Sequence, residues 1–423
     1  MSDQPLMDDI ELREFKAPEK GGIPSPDDAS CKELEKRSTM VPSHLKWLVN
    51  GHTIHREKFD YKIRQFPSGF IIVAESRSAG IVGMVCGAIK EVYLHWKSSG
   101  NPVKVVYIFD LRVAQSHQKA GLGKRLVDDA HRRATDLGAK YAYLTVNGDN
   151  EKAQKLFLKL GYAECSTRFP VGAKFGKGSH TSVSSSNIHI NKVKGEDAVK
   201  MLKTELKEHD FTPGDLHILA KSEFYLGTVV ATTGKSSATV SMWNGSGVTT
   251  FWISRFLFPA EWYASRLFSY ALLGIGFAVG NAWALHIYNL FKGGSVGWAL
   301  GYSVFTSVVA FGVQKVRPLL DFVFMMMKNK DGSMKTRGRL FAPVERGPQG
   351  RECLKAAIAK AKEELMNQGF LAWICNLDTE SNLRDAFEAK GNFIAKLMHK
   401  SLDSSEEKLP RTRPNDFHDP RDI

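Results

Sequence analysis

A short glycine-containing turn, Gln118-Lys119-Ala120-Gly121-Leu122-Gly123, lies between two strongly patterned segments and most restricts the fold of this chain. Before the turn, an apolar run from Val105 to Phe109 continues through Leu111 and Val113 and predicts a buried strand. After the turn, apolar residues recur at helical spacing from Leu126 to Leu137 and predict an amphipathic helix. The sequence therefore predicts a strand, a glycine turn and a helix in direct succession.

This succession predicts an anion-binding turn. Glycine has no Cβ, so backbone N–H groups can approach a ligand closely, and the N-terminus of the following helix favours negative charge. Two common phosphate loops are excluded by spacing. A P-loop requires glycine where Gln118 stands, and a dinucleotide-binding turn requires a third glycine where Leu126 stands.

A second pattern follows the predicted helix. Residues Tyr141 to Asn147 predict a strand, and the next segment predicts a helix that ends at Gly161. This segment has the spacing N-x-x-A-x-x-L-F-x-x-x-G-Y, formed by Asn150, Ala153, Leu156, Phe157, Gly161 and Tyr162. Together with the Q-x-x-G-x-G pattern of Gln118, Gly121 and Gly123, it resembles the two motifs of the GNAT superfamily of N-acetyltransferases.

The resemblance implies an α/β (α+β) GNAT fold over residues 10–170 with acetyl-CoA as cosubstrate. In that fold, the strands Val105 to Val113 and Tyr141 to Asn147 are parallel and then diverge, and pantetheine lies in the gap between them. The resemblance assigns no metal. It assigns coenzyme binding to residues of the first strand end, the glycine turn and the second motif: Leu111, Val113, Gln118, Lys119, Gly121, Leu122, Gly123, Lys124 and Asn150.

Acetyl transfer to an amine requires a group that removes a proton from the amine and a group that protonates the leaving thiolate. Asp110 is the carboxylate closest to the strand centre and is our candidate base, although it also fits an ordinary solvent-facing aspartate; His117 is a second candidate. The superfamily's usual acid is a tyrosine at the position of Phe157, which cannot donate a proton. Tyr162 is our candidate substitute, with Tyr143 or solvent as alternatives.

The second half of the chain repeats the first in weakened form. After a Gly/Ser/Lys-rich linker over residues 171–186, strand patterns are followed by the turn Arg346 to Gly350, a helix and a further strand. Pro348 removes an N–H group from this second turn. We therefore expect residues 187–400 to form a degenerate GNAT-like domain, with residues 1–9 disordered and residues 401–423 forming a C-terminal tail.

The tandem arrangement is similar to that of the plant Hookless-type probable N-acetyltransferases. The shared segments are distributed over both halves: Gly87-Ala88-Ile89-Lys90, Leu111-Arg112-Val113, Leu226 to Ala231, Ser241-Met242-Trp243-Asn244 and Asp419-Pro420-Arg421. The resemblance covers nearly the whole chain but does not extend over residues 256–340. It implies a plant or algal protein with a growth-related function.

Residues 267–314 depart from that family. Two runs, Leu267 to Phe291 and Gly293 to Gln314, contain no Asp, Glu, Lys or Arg, and each is long enough to cross a bilayer core, which requires about 20 helical residues. Basic residues lie on both flanks and favour a cytosolic position for both. We therefore expect an apolar helical hairpin that inserts into a membrane, with a pair of buried soluble helices as the alternative.

Charge and cysteine content restrict the remaining possibilities. The net charge of +13 permits weak attraction to nucleic acid or anionic lipid, but no specific nucleic-acid-binding motif is present. Five scattered cysteines indicate reduced thiols, so we expect a cytosolic environment for both halves, with the nucleus or cytoplasm as alternative locations to a membrane. The leading interpretation is a membrane-anchored, acetyl-CoA-dependent N-acetyltransferase; the alternative is an acetyl-CoA-binding regulatory or scaffold protein without turnover.

Overall fold

The computed structural model describes residues 9–17, 25–37, 49–55, 59–94, 101–175, 187–247, 249–256, 337–370, 372–387, 394–403 and 417–422. The strands in these residues are β1 (Ile10–Glu14), β2 (Val49–His55), β3 (Ser68–Ser76), β4 (Gly80–Tyr93), β5 (Val103–Val113), β6 (Tyr141–Asn147), β7 (Ala163–Lys174), β8 (His189–Val193), β9 (Thr212–Pro213), β10 (Tyr225–Thr233), β11 (Ser236–Asn244), β12 (Thr249–Phe256), β13 (Gly338–Arg346), β14 (Ala372–Asp378) and β15 (Ala395–Ser401). The helices are α1 (Pro26–Arg37), α2 (Leu122–Asp136), α3 (Glu151–Lys159), α4 (Gly195–Glu205), α5 (Leu216–Lys221) and α6 (Gly350–Asn367).

A 13-stranded sheet runs through both halves of the chain in the order β1-β3-β4-β5-β6-β15-β7-β14-β13-β11-β10-β8, with β9 paired to β4. Most neighbours are antiparallel. The pairs β5–β6 and β13–β14 are parallel, and each is joined by a crossover that contains a helix, α2 in the first half and α6 in the second. The predicted succession of strand, glycine turn, helix and strand is therefore confirmed.

The two halves exchange their last strands at the centre of the sheet. Strand β15, from the second half, pairs with β6 and β7, while β7, from the first half, pairs with β14. The predicted boundaries at residues 170 and 187 therefore do not separate two independent sheets. The predicted linker over residues 171–186 also starts too early, because β7 continues to Lys174 as the hydrogen-bonded partner of β14.

The first half packs a separate apolar cluster on each face of its part of the sheet. One cluster contains the apolar stripe of α2, including Leu126 and Ala130, together with Phe157 on α3. The other contains Cys31 and Leu34 of α1 together with Tyr107 and Phe109 of β5. Because successive strand residues point to opposite faces, β5 contributes to both clusters. Side chains on the two faces are therefore separated by the sheet.

The predicted C-terminal tail includes a buried segment. Residues 417–422 contact both halves of the chain. In the second half, Phe417 N–H donates to Asp210 O at 2.8 Å and Arg421 binds Asp215; in the first half, Arg421 donates to Gln65 O at 3.2 Å. Asp419 and Arg421 are almost fully buried. Their burial requires the ion pairs described below, since an unpaired buried charge is strongly unfavourable.

The chain divides into two compact units. One comprises residues 1–38, 53–250 and 334–423 and contains the large sheet; the other comprises residues 39–52 and 251–333. Strands β2 and β12 form a separate two-stranded sheet. The predicted hairpin over residues 267–314 lies outside the described residues. In the residues that the structure does describe, none of the helices has the length and apolar character needed to cross a bilayer.

Candidate active site

The site begins where β5 and β6 diverge. Their parallel pairing joins Val105–Tyr107 to Tyr141–Tyr143. Beyond that point β5 stays paired to β4 as far as Val113, and β6 stays paired to β15 as far as Asn147. A gap therefore opens between the carboxyl ends of two parallel strands, which is the place where open α/β sheets bind ligands.

Backbone groups of β5 border this gap. Ala114 N–H donates to Val82 O on β4 at 2.8 Å. Because successive backbone N–H groups of an extended strand point to opposite edges, the N–H of Val113 points away from β4 and into the gap. Gln118 Nε2 donates to Val113 O at 3.1 Å, which holds the glycine turn beside this strand end. The predicted roles of Val113 and Gln118 are consistent with this placement.

Gly121 is the N-cap residue of α2 and has a left-handed backbone with φ of 87°. A Cβ at this position would have no atom within 4 Å, so the glycine faces open space. Lys119 also has a positive φ, 68°. The first backbone N–H that bonds along the helix is that of Arg125, to Gly121 O at 3.1 Å. The N–H groups of the first turn therefore have no partner along the helix and can bind an anion.

Four other residues predicted to bind the coenzyme differ in their burial and in their contacts. At Gly123 an added Cβ would lie 3.5 Å from the Leu156 side chain, which is an ordinary van der Waals contact. The side chain of Leu122 is buried in the core, so only its backbone can contact a ligand. The exposed Lys124 pairs with Asp128 on the helix surface. Asn150 Oδ1 accepts from Ala153 N–H at 3.2 Å and caps α3, so the structure gives Asn150 a local capping role.

Asp110 occupies a bulge of β5 at the start of the gap. Val85 on β4 lies opposite two residues, because Met84 pairs with Arg112 and Cys86 with Phe109. Asp110 has φ of 49°, a strained conformation for a residue other than glycine, and such strain is common at functional sites. Its carboxylate lies 3.8 Å from Lys62 Nζ and 3.6 Å from an Arg112 guanidinium nitrogen. The bulge therefore places a partly buried carboxylate beside the gap.

Lys62 is a residue of this site that sequence reasoning missed. Its side chain is only 3% exposed, and its ammonium lies 4.0 Å from the centre of the Phe109 ring. Burial lowers the pKa of Lys62, while the nearby Asp110 carboxylate opposes that shift. Lys62 lies between two patterned segments, in a stretch without a motif, so no local sequence signal marks it.

The candidate acid Tyr162 is not close to Asp110. It is 3% exposed and lies in the apolar cluster beneath α2, where its hydroxyl is 2.7 Å from His131 Nε2. Burial raises the pKa of Tyr162 and lowers that of His131 to about 4. Asp110 instead interacts with Lys62, which covers rings in the cluster on the opposite face. The structure therefore does not bring the two predicted catalytic residues together, and Phe157 is a core residue beside Tyr162.

His117, the second candidate base, is buried, and its Nδ1 lies 2.8 Å from the Ser116 hydroxyl. Tyr143 lies at the end of the parallel ladder, directly opposite Tyr107. Its hydroxyl donates to Asp422 Oδ2 at 2.7 Å. Burial and the Asp422 carboxylate raise the pKa of Tyr143. Tyr143 is thus held at the start of the gap by the C-terminal segment.

A buried network of charges continues from Tyr143. Lys90 Nζ binds Asp422 Oδ1 at 2.9 Å and Asp419 Oδ2 at 2.8 Å, and Arg421 binds Asp419 and Asp215. Burial raises the pKa of Asp422; for Asp419, Arg421 and Lys90 outweigh burial and hold the pKa well below its usual range. Sequence patterns do not predict these ion pairs, because the paired residues lie in distant segments of the chain. The network fixes the segment at 417–422 against the first half.

The divergent parallel strands, the open glycine turn and the bulged strand lie together in the first half, in the segment whose two motifs resemble the GNAT superfamily. The resemblance inferred from the two motifs is confirmed, since residues 40–162 match the model of the Acetyltransferase (GNAT) family. "Probable N-acetyltransferase HLS1" of Arabidopsis thaliana is 30% identical over 229 residues, which are 49% of this chain and 54% of that protein. The chain therefore spans about half the length of this curated relative.

Solved structures are similar in fold to this protein. A GCN5-related N-acetyltransferase from Sphaerobacter thermophilus has a TM-score of 0.50 at 11% identity, covering 97% of this chain and 99% of that one. A Saccharomyces cerevisiae N-myristoyltransferase with bound myristoyl-CoA has a TM-score of 0.52 at 10% identity, covering 94% and 84%. At such identities the likeness shows the fold alone.

Proposed function

We propose that this protein transfers an acetyl group from acetyl-CoA to a primary amine in the gap between β5 and β6. The observation that carries the proposal is the position of the open glycine turn, which Gln118 holds against the strand end that borders the gap. The family match and the name of the Arabidopsis relative support the same activity. The acceptor is a protein lysine, a protein N-terminus or a small amine.

The turn and the strand edge suit the two ends of the coenzyme. The first-turn N–H groups of α2 and the dipole of this 15-residue helix favour the diphosphate. The N–H groups of Val113 and Leu111, which are two residues apart on one strand, suit the amide groups of pantetheine. Binding along this edge directs the thioester towards the bulge at Asp110.

The residues at the bulge can supply a proton acceptor. An amine attacks a thioester only in its neutral form, and Asp110 can accept the proton that the ammonium loses. The departing thiolate is a good leaving group because a thiol has a pKa of about 8.5, so water can protonate it without a dedicated acid. We assign no acid role to Tyr162, since its hydroxyl is directed to His131 on the other face.

Turnover and binding separate this proposal from its alternative. The full chain, purified in mild detergent, is incubated with acetyl-CoA and a panel of lysine peptides, N-terminal peptides and polyamines, and thiol release is measured. We expect acetyl-CoA to raise the melting temperature and at least one amine to release thiol. Binding without turnover across the panel supports the regulatory or scaffold interpretation, and absence of binding overturns both.

We also propose that the second half is a degenerate copy of the first. Its parallel strands β13 and β14 also pair over only three residues, Gly338–Leu340 with Trp373–Cys375. Beyond this ladder β13 has a bulge like that of β5. There, however, Ala342 and Pro343 stand opposite Val240, so this bulge has neither a carboxylate nor the second N–H group. Titration calorimetry tests the proposal; we expect one acetyl-CoA per chain, and two would contradict it.

Residues 267–314 are proposed to anchor the protein in a membrane, with both flanks cytosolic. The support is the sequence, in which two long uncharged runs are flanked by basic residues. Alkaline carbonate extraction of membranes from cells that express the full chain tests this proposal. Retention in the pellet supports anchoring, whereas release to the supernatant, as for a peripheral control protein, excludes it and leaves the nucleus or cytoplasm.

A further inference from the structure

The side chain of Lys62 holds a primary amine at the place where the proposed reaction needs one. Its Nζ is 3.8 Å from Asp110 Oδ2, the proposed proton acceptor. It is 4.0 Å from the ring centre of Phe109 and 6.0 Å from that of Tyr107. Tyr107 is the last β5 residue of the parallel ladder, and Phe109 and Asp110 follow where the gap opens.

The surroundings of Lys62 resemble those that an acceptor ammonium requires. A carboxylate and the faces of aromatic rings attract a cation, and the same carboxylate can take its proton. Burial disfavours the charged form of the amine. The other charged or titratable groups that act on Lys62 are Cys86, Asp422 and Arg339, of which only Arg339 favours the neutral amine.

We propose that Lys62 is itself an acetyl acceptor, so that the protein acetylates its own chain at this buried position. This inference rests on the proposed function, because the acetyl donor must occupy the gap beside β5. It also indicates the acceptor class for external substrates, namely primary amines on flexible alkyl chains such as the lysine side chain.

The chemistry balances without another reactant. The neutral Nζ of Lys62 attacks the thioester carbonyl carbon of acetyl-CoA, and the carbon–sulfur bond breaks. Asp110 accepts the proton that the Lys62 ammonium loses before the attack, and the proton that the attacking nitrogen loses afterwards passes to the coenzyme A thiolate. The products are N-acetyl-lysine at position 62 and free coenzyme A. Acetylation removes the positive charge beside Asp110 and thereby changes the site for later acceptors.

Burial makes this reaction distinguishable from chemical acetylation in solution. Lys62 is almost inaccessible to solvent, whereas Lys200 on α4 is exposed. Acetyl-CoA that reacts directly from solution therefore modifies Lys200 and similar residues faster than Lys62. Acetyl-CoA bound in the gap modifies Lys62 first.

The test uses the unaltered full chain with acetyl-CoA and no added amine. Intact mass spectrometry followed by peptide mapping measures acetylation with time at two protein concentrations tenfold apart. We expect one acetyl group, located at Lys62, with a rate constant that does not depend on protein concentration. Lys62→Arg retains the positive charge and loses this acetyl group, while the matched variant Lys200→Arg retains it.

Failure of this inference is distinguishable from failure of the proposed function. A raised melting temperature with acetyl-CoA, together with turnover of an external amine but an unmodified Lys62, overturns the self-acetylation and leaves the enzyme activity intact. Equal acetylation of Lys62 in the chain with Gly121→Glu also overturns it, because the modification would then not require the coenzyme turn. An absence of acetyl-CoA binding overturns both proposals.

Discussion

The two halves of the molecule place a glycine turn between a bulged strand and a long helix, but only one of these turns is open. In the first half, residues 114–121 form a turn in which Gly121 has no neighbouring atom in the direction of a Cβ. In the second half, residues 347–349 form a shorter turn that is filled by the side chain of Ser236. A Cβ on Gly347 would lie 2.7 Å from the Ser236 hydroxyl oxygen, which also accepts from Gln349 N–H at 3.0 Å.

The strand bulges of the two halves share a backbone conformation but differ in the polar groups that they present. Asp110 and Ala342 have nearly equal φ values, 49° and 50°, and each follows a phenylalanine that lies just beyond the end of a parallel ladder. The next residue is Leu111 in the first half and Pro343 in the second, and proline has no N–H group. We infer from this comparison that the shared backbone is not sufficient for the proposed activity, which also requires the open turn and the N–H edge to bind the coenzyme and the carboxylate to accept a proton.

The largest expected effect comes from closing the open turn with Gly121→Glu. This change forces an L side chain into the left-handed region and adds a negative charge where a diphosphate is proposed to bind. We expect acetyl-CoA binding and turnover to be lost. At about 100 times the dissociation constant, the ligand stabilises the unaltered chain by about 2.7 kcal/mol, and thermal unfolding should show no such gain in the variant.

Gly234→Glu is the matched control for that experiment. Gly234 also has a positive φ, 54°, and open space around it, but it lies in the hairpin between β10 and β11. Both substitutions place a negatively charged L side chain at a position with positive φ. Loss of the acetyl-CoA response in both variants would contradict the distinction between the two halves.

A smaller effect is expected from Asp110→Asn. This change leaves the first bulge, like the second, without a carboxylate that can accept a proton. The change keeps the size of the side chain and removes the proposed proton acceptor. We expect kcat to fall by about 100- to 10,000-fold, with the acetyl-CoA dissociation constant nearly unchanged. Steady-state kinetics with the best amine gives the first value and titration calorimetry the second.

Asp197→Asn, on the exposed surface of α4, is the control for the loss of one carboxylate. It should leave kcat unchanged. An Asp110→Asn variant with full kcat would remove Asp110 from the mechanism and leave His117 as the remaining candidate base.

Acid should destabilise the first half through His131 on the crossover helix α2. The corresponding crossover helix of the second half, α6, contains no histidine. Burial lowers the folded-state pKa of His131 to about 4, below its unfolded value of about 6.5. The unfolded chain therefore binds more protons between these values, so this stabilisation is present above pH 6.5 and is lost as the pH falls towards 4. The loss is about 3 kcal/mol at most.

Urea unfolding at several pH values measures this effect. In His131→Gln, the free energy of unfolding should change less between pH 6.5 and pH 4 than in the unaltered chain. His189→Gln, on an exposed position of β8, should retain the original dependence. An unchanged slope in His131→Gln would show that another group titrates in this range.

The smallest effect is expected from Ser236→Ala, which removes the hydroxyl that occupies the second turn. The N–H of Gln349 then loses its acceptor, and we expect a loss of about 1 kcal/mol in the free energy of unfolding. The acetyl-CoA affinity should not change. Ser237→Ala is the neighbouring control, because the Ser237 hydroxyl makes no such bond to the described residues. A change in the number of bound acetyl-CoA molecules in Ser236→Ala would break the comparison.

The sequence by itself determined the elements that depend on local patterns. The turn at Gln118 to Gly123, the strands around it and the amphipathic α2 follow from glycine placement and apolar periodicity, which act over a few residues. Spacing alone also located the second motif from Asn150 to Tyr162. Pro348 also distinguished the second turn from the first in the sequence alone, because a missing N–H group is a property of the residue itself.

Only the tertiary structure decided the residues around the gap. The strand exchange of β7 and β15, the pairing of Lys62 with Asp110 and the burial of Asp422 against Lys90 and Tyr143 join segments far apart in the chain. Tyr162 was assigned from its motif position, but a sheet separates it from Asp110. Side chains meet across a sheet only as strand order, register and bulges dictate, and these are set by packing of the whole domain rather than by any local pattern.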